Sequence, residues 1–349
     1  MRFERKETNM SVTVKTFGHT ADGRAVRQFI ISAAEKRMVS LIELGGCIQG
    51  LWVADKGGNL RDVVLGYDTV AEYEENPTFF GAVLGRLISR MPDCTLHFEG
   101  RDYPLDHIDG MHMHGGVKGF SRVKWDGAVI DDNQVQFTYI SPDGEEGYPG
   151  EVIAKVLYTL DEDGLTIDYD MTADRRTVIN PSNHSYFNLN GHDSGNIRSH
   201  TLRCPVTGSF NQLTEERAPL FEGTDLNEER VLGDIFDLHA PSMEEMGGGI
   251  DHKFILSDLS ARIKDAGTLY SPASGIEMRC LTTMPCIMIY TGNMIDNLRG
   301  KCGFHYQKQA GICFETMLFS SLHDLYGSVA IIEPGKHHRS RTQFLFSTR

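Results

Sequence analysis

The chain has 349 residues, 36 of them glycine, with a hydrophobic share of 40% and a formal net charge of −14. That length fits two average domains or one large all-β unit. The acidic balance works against nucleic acid, anionic membranes and, more weakly, phosphorylated metabolites, which leaves a neutral small molecule as the easier partner.

Met1 to Met10 is a charged stretch without the apolar core of a secretory signal. No apolar run approaches the roughly 20 residues a membrane span needs. Seven cysteines, at 47, 94, 204, 280, 286, 302 and 313, are scattered and show no Cys-x-x-Cys spacing. This argues against a disulfide framework or a zinc ribbon, and a cytoplasmic protein with reduced thiols is expected.

Strand patterning runs through nearly the whole chain. The first clear strand is expected over 41–53, and a short helix over Thr69–Glu75. Strands follow at 134–140 and 152–160. In Gly164–Thr172 the apolar Leu165, Ile167, Tyr169 and Met171 alternate with polar residues, the period of a sheet with one wet face. Asp161-Glu-Asp-Gly164 between the last two strands predicts a hairpin. The segment 205–250 is acidic and loop-rich, with a short helix expected over Asn227–Leu232 and a glycine run at 247–249. Further strands are expected at 276–283, 286–291 and 342–347. No solenoid or propeller period and no low-complexity linker interrupts the pattern. The fold class is all-β.

Five groups could carry chemistry. His184, in Asn183-His-Ser-Tyr-Phe-Asn-Leu189, is either a histidine hydrogen-bonded in the core or a proton donor in a cleft. His112-Met-His114-Gly-Gly puts two rings on one face of a strand, a spacing metal sites use, but no neighbouring carboxylate or cysteine completes a ligand set. The glycines that follow would let backbone approach a ligand closely. Arg86 and Arg90, four apart, would share a face on a helical turn and could fork onto hydroxyls or a carboxylate. Glu315 ends a mostly apolar strand-like run, where a carboxylate is either capped by amides or raised in pKa for general-base work. Asp251 follows a glycine turn, as an Asx-turn residue or as a functional carboxylate.

Together these segments resemble one family, the aldose 1-epimerases or galactose mutarotases, from about residue 17 to the C-terminus. The resemblance is carried by Gly85-Arg86 with Arg90, by His114-Gly-Gly with Gly119-Phe120 and Trp125, and by Asp143 to Gly150. It continues through Asn183–Leu189, Asp251-His252 with Phe254, Tyr290-Thr-Gly-Asn293, Glu315-Thr316 and Glu333-Pro-Gly335. It implies a single large antiparallel β-sandwich over 17–349, after an N-terminal extension of residues 1–16. It also implies interconversion of the α and β anomers of a free aldose, with no metal or other cofactor and a monosaccharide as partner, in a monomer or homodimer. By that pattern Glu315 is the base, His184 the acid, and His114 a helper near the ring oxygen, while Arg90 and Asp251 hold sugar hydroxyls.

The chain departs from the family pattern at hydroxyl-reading positions. Ser89 stands where the family usually has asparagine, Met288 where it has glutamine, and Thr316 is followed by Met317 and later Ser320-Ser-Leu322. A pentose or deoxy-sugar substrate is therefore open. So are a hexose 6-phosphate, a non-catalytic sugar-binding module on the same fold, and a glycosidase using Glu315 with Asp251.

Overall fold

A computed structural model of the chain describes residues 10–33, 36–88, 90–211, 226–319 and 330–349. Three large antiparallel sheets make up the architecture. The first is a meander of five strands, Met10–His19, Ala25–Ala33, Arg37–Ile42, Cys47–Ala54 and Leu60–Asp62. Pairing with Ala33 begins at Met10, ahead of the expected start at residue 17, because Met10 and Val12 pack against the core. The expected single strand over 41–53 is two strands. Gly45 and Gly46, at φ +66° and +58°, turn the chain between them. A Cβ at Gly45 would come within 2.3 Å of the Ser121 carbonyl oxygen, so glycine is required there.

The nine-stranded sheet is built around the end of the chain. His337–Thr348 lies between Gly164–Ala173 and Ile276–Thr282. Val152–Leu160 and Gly164–Ala173 form the expected hairpin, and Asp161 Oδ1 accepts the backbone N–H of Asp163 at 2.9 Å and of Gly164 at 2.8 Å. The third sheet has the order Tyr186–Phe187, Ile312–Met317, Cys286–Tyr290, Asp251–Leu256 and Val206–Asn211.

Side-chain alternation assigns this third sheet two faces. Phe254, Leu256, Ile287, Ile289, Ile312 and Phe314 enter the main core, where Phe187 meets Phe344 of the nine-stranded sheet at 4.8 Å between ring centroids. Each fully buried side chain of this size contributes about 1.5–3 kcal/mol. The hydroxyls of Thr316 and Thr342, 2.5 Å apart, link the two sheets across the sandwich. Ile255, Cys286, Met288, Cys313 and Met317 turn the other way, into a second apolar cluster beneath an open cleft.

Helices are short. Val70–Glu75 matches the short helix expected over Thr69–Glu75, and Thr69 forms a capping box with Glu72 at its start. The helix expected over Asn227–Leu232 instead spans Leu232–Phe236. Leu232, Ile235 and Phe236 are buried at helical spacing, whereas Arg230–Val231 pairs as a strand. Residues 212–225 of the loop-rich segment lie outside the described residues. No helix among the described residues is long and apolar enough to cross a membrane.

Candidate active site

Register on the third sheet sets the cleft floor. Tyr186 pairs with Cys313, Cys313 with Tyr290, and Tyr290 with Asp251, so the four side chains form a row across one face. Glu315 belongs to the next row, opposite Met288. His184 sits just before the Tyr186–Phe187 strand, held by backbone hydrogen bonds to Ala82 and Gly81 at 2.9 and 3.1 Å. Asn183 adds a side-chain bond to the Gly81 carbonyl at 2.8 Å. Polar residues in that motif thus fix the backbone on which the histidine stands.

The imidazole of His184 lies between the rings of Phe79 and Tyr186, at centroid distances of 5.9 and 5.0 Å and nearly parallel to both. Its Nδ1 faces Cys313 Sγ at 3.4 Å, and its Nε2 faces Glu315 Oε1 at 3.6 Å. His114, at φ +52°, brings its ring edge-on to His184 at 5.3 Å. Arg90 Nη2 stands 3.6 Å from Asp251 Oδ2. Glu315 Oε2 and Arg90 Nη1 are buried without a hydrogen-bond partner in the protein. Such atoms cost free energy unless a ligand or water satisfies them.

Burial dominates the electrostatics. It pushes the Glu315 carboxyl well above its ordinary range, with Asp251 adding to the rise and Arg90 opposing it. It raises Asp251 to about 6 against the pull of Arg90. The same desolvation lowers His184 to about 3 and takes His114 well below its ordinary value, the latter helped by His184. Desolvation thus works against charge on Glu315, Asp251, His184 and His114 alike.

The cleft encloses about 350 Å³, at the lower end of the roughly 300–1,000 Å³ usual for small-molecule sites. Pro77, Thr78, Tyr290, Met294, Ile295 and Leu298 complete its walls. A wider groove of about 730 Å³ lies on the nine-stranded sheet, but Asp168 and Asp170 there are already paired with Arg341 and Arg339.

His114, His184, Glu315, Arg90 and Asp251 thus converge in one cleft. Met288 does not line it; 2% exposed, it packs into the apolar cluster beneath. Ser89 and Ser320–Leu322 lie outside the described residues. The arginine pair is not on a helical turn: Arg90 begins a short strand, and Arg86 is buried among the carbonyls of Ser141, Pro142 and Pro149. Nor do the rings of His112 and His114 converge, since His112 bonds Asp106 O at 2.6 Å and Tyr148 Oη at 2.5 Å. His184, Cys313 and Glu315 bring their ligand atoms within 4.8 Å of one another. The thiol faces one ring nitrogen and the carboxylate the other, so they flank the imidazole instead of surrounding one point. Phe79 and Cys313 were not singled out by sequence reasoning. A lone phenylalanine and a lone cysteine have no spacing that announces a site.

Residues 27–345 match the family profile described as aldose 1-epimerase. The chain belongs to the aldose 1-epimerase family. It is 35% identical to galactose mutarotase of Sus scrofa, covering 97% of this chain and 99% of that protein. Identity to the aldose 1-epimerase of Escherichia coli K12 is 27%, over 93% and 96% of the two chains. The fold is similar to that of galactose 1-epimerase from Lactobacillus acidophilus, with a TM-score of 0.83 at 20% identity over 97% of this chain and 99% of that one. Two residues of the Tyr290-Thr-Gly-Asn293 signature also support the site physically. Asn293 bonds the carbonyls of Met246 and Ile250 through Nδ2. Thr291 Oγ1 accepts the Ile250 N–H at 2.9 Å, which fixes the backbone immediately before Asp251.

Proposed function

We propose that this chain is a mutarotase that interconverts the α and β anomers of a free aldose. The observation that carries the reading is the His184–Glu315 pair. A carboxyl and an imidazole face each other across 3.6 Å in a buried cleft, and the second carboxyl oxygen lacks a partner. A sugar hemiacetal needs one group to take the proton from the C1 hydroxyl and another to give a proton to the ring oxygen. The C1–O5 bond then breaks, the aldehyde turns about C1–C2, and closure from the other face returns both protons. Glu315 acts as base and His184 as acid, and the roles reverse on closure. The pair holds one proton throughout, and passage of that proton through the sugar is the catalytic cycle.

His114 hydrogen-bonds an oxygen near C1, the ring oxygen or its neighbour, stabilising charge as it shifts. Arg90 and Asp251 hold hydroxyls and fix the ring between the proton carriers. The cleft lining carries the guanidinium of Arg90 against the carboxyls of Asp251, Asp296 and Glu315, which favours an uncharged sugar over a sugar phosphate.

Ser89, standing where the family usually has asparagine, supports a sugar with fewer or differently placed hydroxyls, a pentose or deoxy-sugar. The test is polarimetric mutarotation across glucose, galactose, pentoses, deoxy-sugars and a hexose 6-phosphate. Anomer ratios relaxing at the buffer rate for every sugar would refute the activity. Turnover of glucose and galactose far above the rest would refute the substrate assignment alone.

A further inference from the structure

One turn outside the cleft holds the loop that carries His114. Glu146, in the Glu145–Gly147 turn, has φ +51° and a buried side chain. Its carboxylate accepts the backbone N–H of Val117 at 2.7 Å, Lys118 at 2.8 Å and Gly119 at 3.2 Å. A Cβ at Gly116 would come within 2.2 Å of Glu146 Oε2, so Gly116 makes room for this carboxylate. From the same turn, Tyr148 Oη reaches His112 Nε2 on the other side of His114. The turn is anchored by Arg86, whose Nε bonds Ser141 Oγ at 2.9 Å and whose other nitrogens bond the carbonyls of Ser141, Pro142 and Pro149. Arg86, Glu146 and Tyr148 do not line the cleft.

We propose that Glu146 is a positioning residue for His114. Its carboxylate fills a nest of backbone amides and, with Tyr148 on His112, sets the loop so that the His114 ring stays edge-on to His184. The inference rests on the assignment of His114 to the reaction site. An amide nest ordinarily recruits an anion from outside; here the chain supplies its own, and the loop is locked instead of open to a ligand. Without the carboxylate, three N–H groups lose their acceptor and the loop relaxes toward water.

The test is a double-mutant cycle on the aldose turned over fastest, with kcat and KM measured for Glu146→Ala, Glu146→Gln, His114→Ala and Glu146→Ala/His114→Ala. Displacing His114 is expected to lower kcat roughly 10- to 100-fold in Glu146→Ala, with KM within about twofold. The double variant is expected to be no slower than His114→Ala, because Glu146 acts through that ring. Losses that multiply would overturn the proposal, as would an unchanged kcat in Glu146→Ala. Full kcat in His114→Ala would instead overturn the assignment of His114, a separable result. If Glu146→Ala does not fold, Glu146→Gln, which keeps one acceptor oxygen, runs the same cycle.

Discussion

His184 Nε2 and Glu315 Oε1 face each other at 3.6 Å, beyond hydrogen-bonding distance, with side chains only 5% and 2% exposed. Neither group satisfies the other, so a bound hydroxyl gains both. Glu315→Gln and His184→Gln are each expected to lower kcat by about 10²–10⁴-fold with small change in KM. The double variant should be little slower than the poorer single, since one proton circuit needs both ends. Initial rates by polarimetry decide this, and a Glu315→Gln enzyme within tenfold of the parent would remove Glu315 as the base.

Asp251 predicts the acid side of the pH profile. Its carboxyl is raised to about 6, so it is charged above that pH and takes up a proton as pH falls through it. The charged form is the one that accepts a sugar O–H and opposes Arg90. KM is therefore expected to rise as pH drops below about 6 while kcat changes less. Asp251→Asn should show a raised KM at every pH and no such inflection. The same inflection surviving in that variant would assign it elsewhere.

Cys313 holds the far nitrogen of His184, with Sγ at 3.4 Å from Nδ1, and burial pushes its thiol well above the ordinary range. The neutral S–H orients the ring without competing for the proton. Cys313→Ser, which keeps a hydrogen-bonding atom, should retain most of kcat, whereas Cys313→Ala should lose about 2- to 10-fold. In the folded protein Cys313 should resist iodoacetamide while the exposed Cys302 reacts. Equal labelling of the two by mass spectrometry would contradict this.

The hydroxyl pair Thr316–Thr342 predicts a stability pattern. Both side chains are buried and each is the other's partner at 2.5 Å. Thr316→Val or Thr342→Val alone leaves one hydroxyl unpaired and should cost about 1–3 kcal/mol in denaturant unfolding. The double substitution should cost less than the sum. Additive costs would show that the bond between the sheets contributes nothing.

Strands were legible where one face is wet. Gly164–Ala173 and Val152–Leu160 show clean alternation, and the sequence places them within a residue of their observed bounds. The break at Gly45-Gly46 was hidden because both flanking strands are apolar on each side, so periodicity carried through the turn. The helix near 230 was misplaced because its apolar residues begin where the expected segment ends. For the site, chemical type drew attention to His184, His114, Glu315, Arg90 and Asp251. The contrast between Arg86 and Arg90 was not readable, since only tertiary contacts bury the first among carbonyls and leave the second in the cleft. Nor was the partner of the glycine-rich loop, which arrives from about thirty residues downstream.

The Ile312–Met317 strand presents Glu315 to the cleft, and Phe314 and Thr316, its immediate neighbours, to the core. Inserting a single residue ahead of Glu315 would exchange these roles, turning a carboxylate into hydrocarbon and an aromatic ring into the cleft. Activity and folding would fail together. Chain length in this strand, which pairs with Cys286–Tyr290 without a register shift, is thus effectively quantised, whereas the connections between strands carry no such parity.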